Sequence, residues 1–372
     1  MNWCARQTYG FTPEECYAEK VWKLMPDLLG DPQVQASYSD YMRLLNSKGI
    51  TAIKEMTFDD YYGFSNIMEK MDQTDQLTVR VHMMSQPVGR GVDLDYARAA
   101  RNRFTGPFLQ FSGFNRMTDR GIPSGLGELI EPYKSDPTMH VAVAVEWELI
   151  ESEVRAIDAE GFRYSLHCQG DGAVRHTIAL FDSCAKQEDG TLLNRHAITD
   201  LEYSNRADLR RFGQIGGTCE IYPQIQSLDT KRDVVEMVDR QLGLDRIENY
   251  WNRRTMWDAG IHVCCGTDLP LLIPDLGEAI YCAVGGYFAD GEQLNEQNML
   301  STPELLRAWS QGGAYDCYRE RDLGTLEAGK LADIAVFDRD VLAVDPWEAR
   351  SIATYMTISD GRTVYAANRK EN

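Results

Sequence analysis

The stretch VEWELIESEVRAIDAEGFRYSLHCQG, residues 145–170, decides how this chain folds. Its longer first part places apolar residues at the three- and four-residue spacing of a helix with one buried face. Its last part is a short apolar run that ends in polar residues, which is typical of a buried strand. A helix followed by such a strand predicts parallel βα units.

Six more apolar runs of this kind occur along the chain, and another segment of helical period, ADLRRFGQIG (207–216), leads into one of them. Together with residues 163–170 they predict a sheet of parallel strands. The six runs are GITAIKEM (49–56), LTVRVHMM (77–84), FLQFSGFN (108–115), RHAITDLEY (195–203), GGTCEIYPQ (216–224) and HVCCGTDLP (262–270). Two later runs, LADIAVFDRD (331–340) and ATYMTISDGRTVYA (353–366), predict a small separate β unit.

Polar side chains stand at the ends of four predicted strands: Asn115, His167, Asp200 and Asp268. In parallel barrels the chemistry lies at the carboxyl ends of the strands. The pattern therefore predicts a functional site formed by these residues.

The composition excludes two classes of partner. Asp and Glu number 57 against 38 Lys and Arg, a formal net charge of -19, which disfavours nucleic acid and anionic membrane surfaces. No stretch approaches the roughly 18 consecutive apolar residues of a membrane helix. The nine cysteines form no C-x-x-C pair, as expected of reduced thiols, and we predict a cytoplasmic protein.

Four motifs, in the same order along the chain, resemble the amidohydrolase superfamily and its family 3 branch, which includes N-substituted formamide deformylases. The motifs are HCQGDGAVRHTIALFD (167–182), RHAITDLEY (195–203), GTDLP (266–270) and DLGTLEAGKLADIAVFDRD (322–340). The resemblance implies an α/β fold: a TIM-type (β/α) barrel of the metal-dependent hydrolase type over residues 1–310, lacking its first strand. It also implies that residues 311–372 form part of a β-sandwich.

The resemblance assigns roles to three residues. His167 would ligate a divalent metal, zinc by analogy, at the fifth strand of the family. Asp268 would bind metal at the eighth strand and act as general base for the attacking water. Asp200 stands near the family's sixth-strand histidine and becomes the third candidate ligand.

Two family features differ. The His-x-His of the family's first strand is absent, since the six histidines are all isolated. Asn115 stands where the family carboxylates a lysine, and Thr199 and Asp200 replace Glu-His. Three ligands suffice for one catalytic metal with an open water position, but a relic site without metal is equally compatible with these residues.

Other residues extend the prediction. Asn115, Tyr222 and Gln224 lie at strand ends, where they would contact substrate. Glu55 lies at the end of the first predicted strand, Asp59 and Asp60 follow it, and all three are alternative metal ligands. His196 begins a strand, where hydrogen bonding in the core is favoured over substrate contact.

We therefore expect a metal-dependent hydrolase that acts on an amide-like C–N bond of a small molecule, as one subunit of a split amidohydrolase. A second polypeptide, or another copy of the chain, would complete the open barrel. Two alternatives stay open: a lyase or isomerase that uses Asp268 and His167 as an acid–base pair, and a non-catalytic partner subunit.

Overall fold

The computed structural model describes residues 25–57, 64–87 and 91–367, so the predictions for Asp59 and Asp60 lie outside the described residues. Seven parallel strands overlap the seven predicted runs and are neighbours in sequence order, which confirms the predicted sheet. They are β1 (Ala52–Thr57), β2 (Arg80–Ser85), β3 (Leu109–Met117), β4 (Arg163–His167), β5 (Ala197–Thr199), β6 (Thr218–Ile221) and β7 (His262–Cys265).

Helices alternate with these strands, as expected of α/β architecture. The α-helices are α1 (Met25–Ser47), α2 (Phe64–Gln73), α3 (Leu94–Arg103), α4 (Trp147–Ala159), α5 (Asp171–Asp182), α6 (Arg206–Gln214), α7 (Lys231–Gln241), α8 (Arg253–Asp258), α9 (Leu276–Ala283), α10 (Thr302–Arg307) and α11 (Gly313–Asp316). Short 3-10 helices lie at Ile122–Ser124, Ile225–Leu228, Leu244–Asn249, Glu296–Asn298 and Pro346–Ser351. A single π-helical turn, Ala308–Gly312, joins α10 to α11.

The stretch that predicts the fold forms α4 and β4. In α4 the buried apolar side chains are Ile150, Val154 and Ile157, one helical turn apart on one face. In β4 Tyr164 and Leu166 are completely buried. The helix stripe and the apolar strand therefore pack in the core.

The late β-rich runs form a three-stranded sheet of β8 (Ile334–Phe337), β9 (Thr354–Ser359) and β10 (Arg362–Ala366). β9 and β10 are antiparallel, with Ser359 opposite Arg362. The two residues between them, Asp360 and Gly361, both have positive φ, of 51° and 75°, which suits a tight two-residue hairpin turn. The separate β unit is confirmed.

The described part of the chain divides into two compact units. One contains the described residues up to Asn115, Ala332–Val336 and the described residues from Met356 onward, and the other contains Arg116–Leu331 and Phe337–Tyr355. The predicted boundary between residues 310 and 311 stays a prediction. Within the described residues no helix is both long and apolar enough to cross a membrane.

Candidate metal centre

The carboxyl ends of two neighbouring strands bring His167 and Asp200 together. His167 is the last residue of β4 and is opposite Thr199 of β5, so Asp200 follows at the same edge. Nε2 of His167 lies 2.7 Å from Oδ2 of Asp200. Asp200 adopts a left-handed φ of 65°, which aspartate tolerates better than most residues. Its backbone N–H donates to the carbonyl of Glu220 on the next strand.

The imidazole of His167 has one engaged and one unengaged nitrogen. Nε2 donates to Asp200, whereas Nδ1 is buried and has no hydrogen-bond partner among the described residues. Burial lowers the pKa of His167, but the hydrogen bond and charge of Asp200, aided by Asp119 and Asp268, outweigh burial and raise it to about 9. The imidazole is therefore protonated at neutral pH, and a metal ion would take the place of that proton.

Asp119 supports the loop after β4 and was not predicted from the sequence. Its buried carboxylate accepts three backbone hydrogen bonds, from Gln169 at 2.9 Å, Gly170 at 2.8 Å and Glu128 at 2.9 Å. Burial raises the pKa of Asp119 to about 6, although the three N–H donors and His167 oppose that effect. Asp119 thus holds the backbone that follows His167.

A close approach of backbone makes glycine necessary at one point of this loop. A Cβ at Gly170 would lie 2.1 Å from the carbonyl oxygen of Glu128. Beside Gly170, the side-chain amide of Gln169 donates a hydrogen bond to Oδ2 of Asp200. The loop therefore positions both the imidazole and a second donor on Asp200.

Asp268 follows β7 and also adopts a left-handed φ, of 49°. Its side chain is exposed and makes no hydrogen bond with another described residue. Partial desolvation and the charge of Asp200 raise the pKa of Asp268, against the opposing charge of His167. Asp268 thus interacts electrostatically with the His167–Asp200 pair without contacting it.

Histidine nitrogen and carboxylate oxygen are donor types that a divalent metal accepts, although the ligand atoms of His167, Asp200 and Asp268 do not all lie within 4.8 Å of one another. Nε2 of His167 contacts Oδ2 of Asp200, so an ion held by both residues would replace the proton between these two atoms. Carboxylate oxygens of Asp200 and Asp268 supply the remaining donors, a nitrogen-and-oxygen set that zinc accepts. The metal role of these three residues stays a prediction.

A small cavity adjoins this pair, and Asp200 and Tyr222 are part of its wall. The hydroxyl of Tyr222 lies 3.3 Å from Oγ1 of Thr199, and burial with the charges of Asp200 and Asp268 raises its pKa. These neighbours agree with the prediction that Tyr222 contacts substrate, which stays a prediction.

Gln224 and Asn115 have different surroundings. The Gln224 amide donates to the carbonyl of Ile273 at 3.0 Å and accepts from the N–H of Asp275 at 3.1 Å, contacts that favour a structural role. Asn115 is buried on β3, and its Oδ1 has no hydrogen-bond partner among the described residues. Their predicted substrate contacts stay predictions.

Glu55 and His196 both form hydrogen bonds with other residues. Glu55 accepts a 2.8 Å hydrogen bond from the hydroxyl of Tyr38. His196 is completely buried, accepts from the backbone N–H of Tyr164 and donates to Asp158, as predicted for a core histidine. The suggestion that Glu55 ligates metal stays untested.

His196 also belongs to the one group of three possible ligand side chains in the described residues whose ligand atoms lie within 4.8 Å of one another. The other members are Asp158 and Cys184. Both imidazole nitrogens are engaged, and Asp158 also accepts from Asn194 and from the N–H of Ala185. These hydrogen bonds favour a structural network.

The family comparison decides which class of protein this is. The model of the Amidohydrolase family matches residues 9–365. The chain belongs to this family. The predicted resemblance to the amidohydrolases is therefore confirmed.

Two relatives in the family extend the comparison. The chain is 24% identical to amidohydrolase YtcJ of Bacillus subtilis, over 71% of this chain and 49% of that protein. It is 23% identical to an N-substituted formamide deformylase of Arthrobacter pascens, over 93% of this chain and 61% of that protein. The chain thus spans about half to three fifths of the length of these relatives.

Solved structures show the same fold. An uncharacterized metal-dependent hydrolase from Pyrococcus horikoshii OT3 superimposes with a TM-score of 0.69 at 17% identity, over 87% of this chain and 63% of that chain. The likeness confirms the predicted α/β fold of the metal-dependent hydrolase type.

Proposed function

We propose that this amidohydrolase-family chain hydrolyses an amide-like C–N bond in a small molecule with the help of a divalent metal. The observation that carries the proposal is the pairing of His167 with Asp200 at adjacent strand ends, with Asp268 acting on the pair through its charge. Parallel barrels place their chemistry at that edge. The N-substituted formamide deformylase among its relatives supports the C–N bond as the target.

In this proposal His167, Asp200 and Asp268 hold the ion. A divalent metal such as zinc lowers the pKa of a bound water toward about 7 and polarises a carbonyl. Asp268 accepts the water's proton on its carboxylate, since its side chain is exposed to water and has no competing hydrogen bond among the described residues. Tyr222 forms part of the wall on which substrate rests.

Replacing Asp268 with asparagine tests the base. Asp268→Asn keeps the shape of the side chain and removes its ability to take a proton, so turnover of an N-substituted formamide in the presence of zinc falls by roughly 10²- to 10⁴-fold. The exposed Asp245 gives a matched control, Asp245→Asn, which keeps native turnover. Equal turnover in native protein and Asp268→Asn would contradict the proposal.

One observation favours a second candidate, a lyase or isomerase reaction without metal. The 2.7 Å contact of His167 with Asp200 is also the arrangement in which a carboxylate orients an acid–base histidine. Removal of metal separates the two candidates. The hydrolase loses activity after chelation and regains it with zinc, whereas an acid–base enzyme keeps its activity throughout.

A completing partner is a further proposal. β1 pairs with β2 on one side, and within the described residues no strand pairs with its other side. An exposed strand edge invites pairing with another chain. Size-exclusion chromatography coupled to light scattering, with the purified chain alone, is expected to show a complex of two or more chains. A stable, cooperatively folded monomer would contradict the proposal.

A further inference from the structure

Two of the residues that line the cavity beside Asp200, Trp251 and Arg253, carry nitrogen donors that the proposed hydrolysis leaves unused. Glu202, Tyr222 and Ile225 also line it. Both donors come from one short segment at the start of α8. Neither residue contributes to the proposed metal centre.

The two donors are buried and unsatisfied. Arg253 is 4% exposed and Trp251 is 8% exposed. Nη2 of Arg253 and Nε1 of Trp251 have no hydrogen-bond partner among the described residues. A buried polar group without a partner costs free energy comparable to a lost hydrogen bond, so such groups usually face a ligand or water.

No carboxylate of the described residues contacts the charged guanidinium of Arg253. Within the described residues its guanidinium contacts one side-chain acceptor, the neutral amide oxygen of Gln226, at 2.6 Å. The charge of Glu202 acts on Arg253 without an ion pair. Burial lowers the pKa of Arg253 to about 10, so the group is still cationic at neutral pH. A buried cation of this kind favours an anionic partner.

The backbone holds the donors in place. The N–H of Trp251 donates to the carbonyl of Glu202 at 2.7 Å, and Trp251 has a left-handed φ of 49°, which is rare for a bulky residue. Between the two donors, the buried amide of Asn252 donates to the carbonyl of Ser204 at 2.6 Å. A segment anchored in this way presents both donors with little freedom to turn aside.

We infer that Arg253 and Trp251 bind a carboxylate carried by the substrate, and thereby select amides that bear an acidic group near the scissile bond. A carboxylate has two acceptor oxygens, which match one guanidinium N–H and one indole N–H, and guanidinium–carboxylate bonds are strong. The inference rests on the proposed function for the position of the scissile bond.

Binding of two isosteric probes tests the inference without hydrolysis. N-acetylglycine carries a carboxylate, and N-acetylglycinamide replaces it with a neutral amide. In calorimetric titrations of the metal-free full chain, the anion is expected to bind about tenfold or more tightly than the amide. Arg253→Gln removes that preference, and Trp251→Phe, which keeps a ring but loses the N–H, reduces it about three- to fivefold.

Arg254 supplies the matched control, because it lies next in sequence and pairs with Glu304. Arg254→Gln changes net charge equally and keeps the preference for the anion. Equal affinity for both probes, binding of neither, or a preference that survives in Arg253→Gln would overturn the inference. If Arg253→Gln does not fold, an unchanged preference in folded Trp251→Phe overturns it. If the native chain prefers the anion but shows no zinc-dependent hydrolysis, the result would count against the proposed function alone.

Discussion

His167 and Asp200 lie 33 residues apart in sequence, yet Nε2 of one is 2.7 Å from Oδ2 of the other. The parallel register of β4 and β5 produces this contact, because it sets His167 opposite Thr199. A polar residue at the end of each strand is then enough to form a pair. The same register explains why the pair lies at the carboxyl edge of the sheet.

The buried ion cluster at the start of β4 is expected to be the costliest polar site to break. Arg163 is completely buried and lies 2.6 Å from carboxylate oxygens of both Glu220 and Asp316. Arg163→Met leaves two buried acids without their cation, so the free energy of unfolding falls by about 3–5 kcal/mol. Urea denaturation at pH 7 measures the change.

An exposed pair gives the control for that prediction. The side chain of Arg155 is 72% exposed and contacts Glu151 one helical turn away. Arg155→Met is expected to change the free energy of unfolding by less than about 1 kcal/mol, since solvent screens such pairs. Similar losses in the two variants would mean that burial does not set the cost.

A pair of glycines tests the packing of the loop after His167. Gly170→Ala brings a Cβ to 2.1 Å from a backbone oxygen of Glu128, and is expected to destabilise the chain by about 1–3 kcal/mol or more. Gly313→Ala in α11 meets nothing within 4 Å, so it is expected to be neutral or stabilising by up to about 1 kcal/mol. Thermal and urea denaturation of both variants measure the difference. A well-tolerated Gly170→Ala would show that the loop can move away from Glu128.

The cap of α10 makes a contribution that depends on pH. Arg254 donates two hydrogen bonds to Glu304, at 2.9 Å and 2.8 Å, and the N–H of Ser301 donates a third. The pKa of Glu304 is lowered from 4.5 to about 2, mainly by hydrogen bonding from Arg254. Because the folded pKa is lowered, this stabilisation is complete above about pH 4.5 and is lost as pH falls toward about 2.

Glu304→Gln isolates that contribution. The variant is expected to be less stable than the native chain by about 1 kcal/mol at pH 7, since it keeps one cap acceptor and loses the charge. Denaturation midpoints at pH 7, 5, 4 and 3 should show the gap narrowing below pH 4.5. A gap that stays constant with pH would contradict the assigned pKa of Glu304.

The sequence predicted the features that depend on local pattern. All seven strands overlap predicted apolar runs, because buried parallel strands are short and apolar along their length, although the first three end one or two residues later than predicted. The meeting of His167 and Asp200 followed from strand order alone. For the remaining strand ends, the sequence predicted which residue types are present but not which contacts they make.

Contacts between distant segments were not predictable. Asp119 lies two residues beyond β3, and two of its three backbone donors come from the distant loop after β4. Trp251 and Arg253 lie at the start of a short helix, outside the family motifs, and no periodicity marks them as part of a cavity wall. Gln224 was expected at the mouth of the site from its position, but its amide is engaged by residues near Ile273 and Asp275.

The metal content of the purified chain tests the central claim most directly. After equilibration with zinc and removal of free metal, elemental analysis should find about one equivalent per native chain. His167→Ala and Asp200→Asn should each bind well under one equivalent. Cys184→Ser, which removes a possible ligand of the separate Asp158 and His196 cluster, should retain it. A native chain without bound zinc, or zinc that survives in His167→Ala and is lost in Cys184→Ser, would contradict the account.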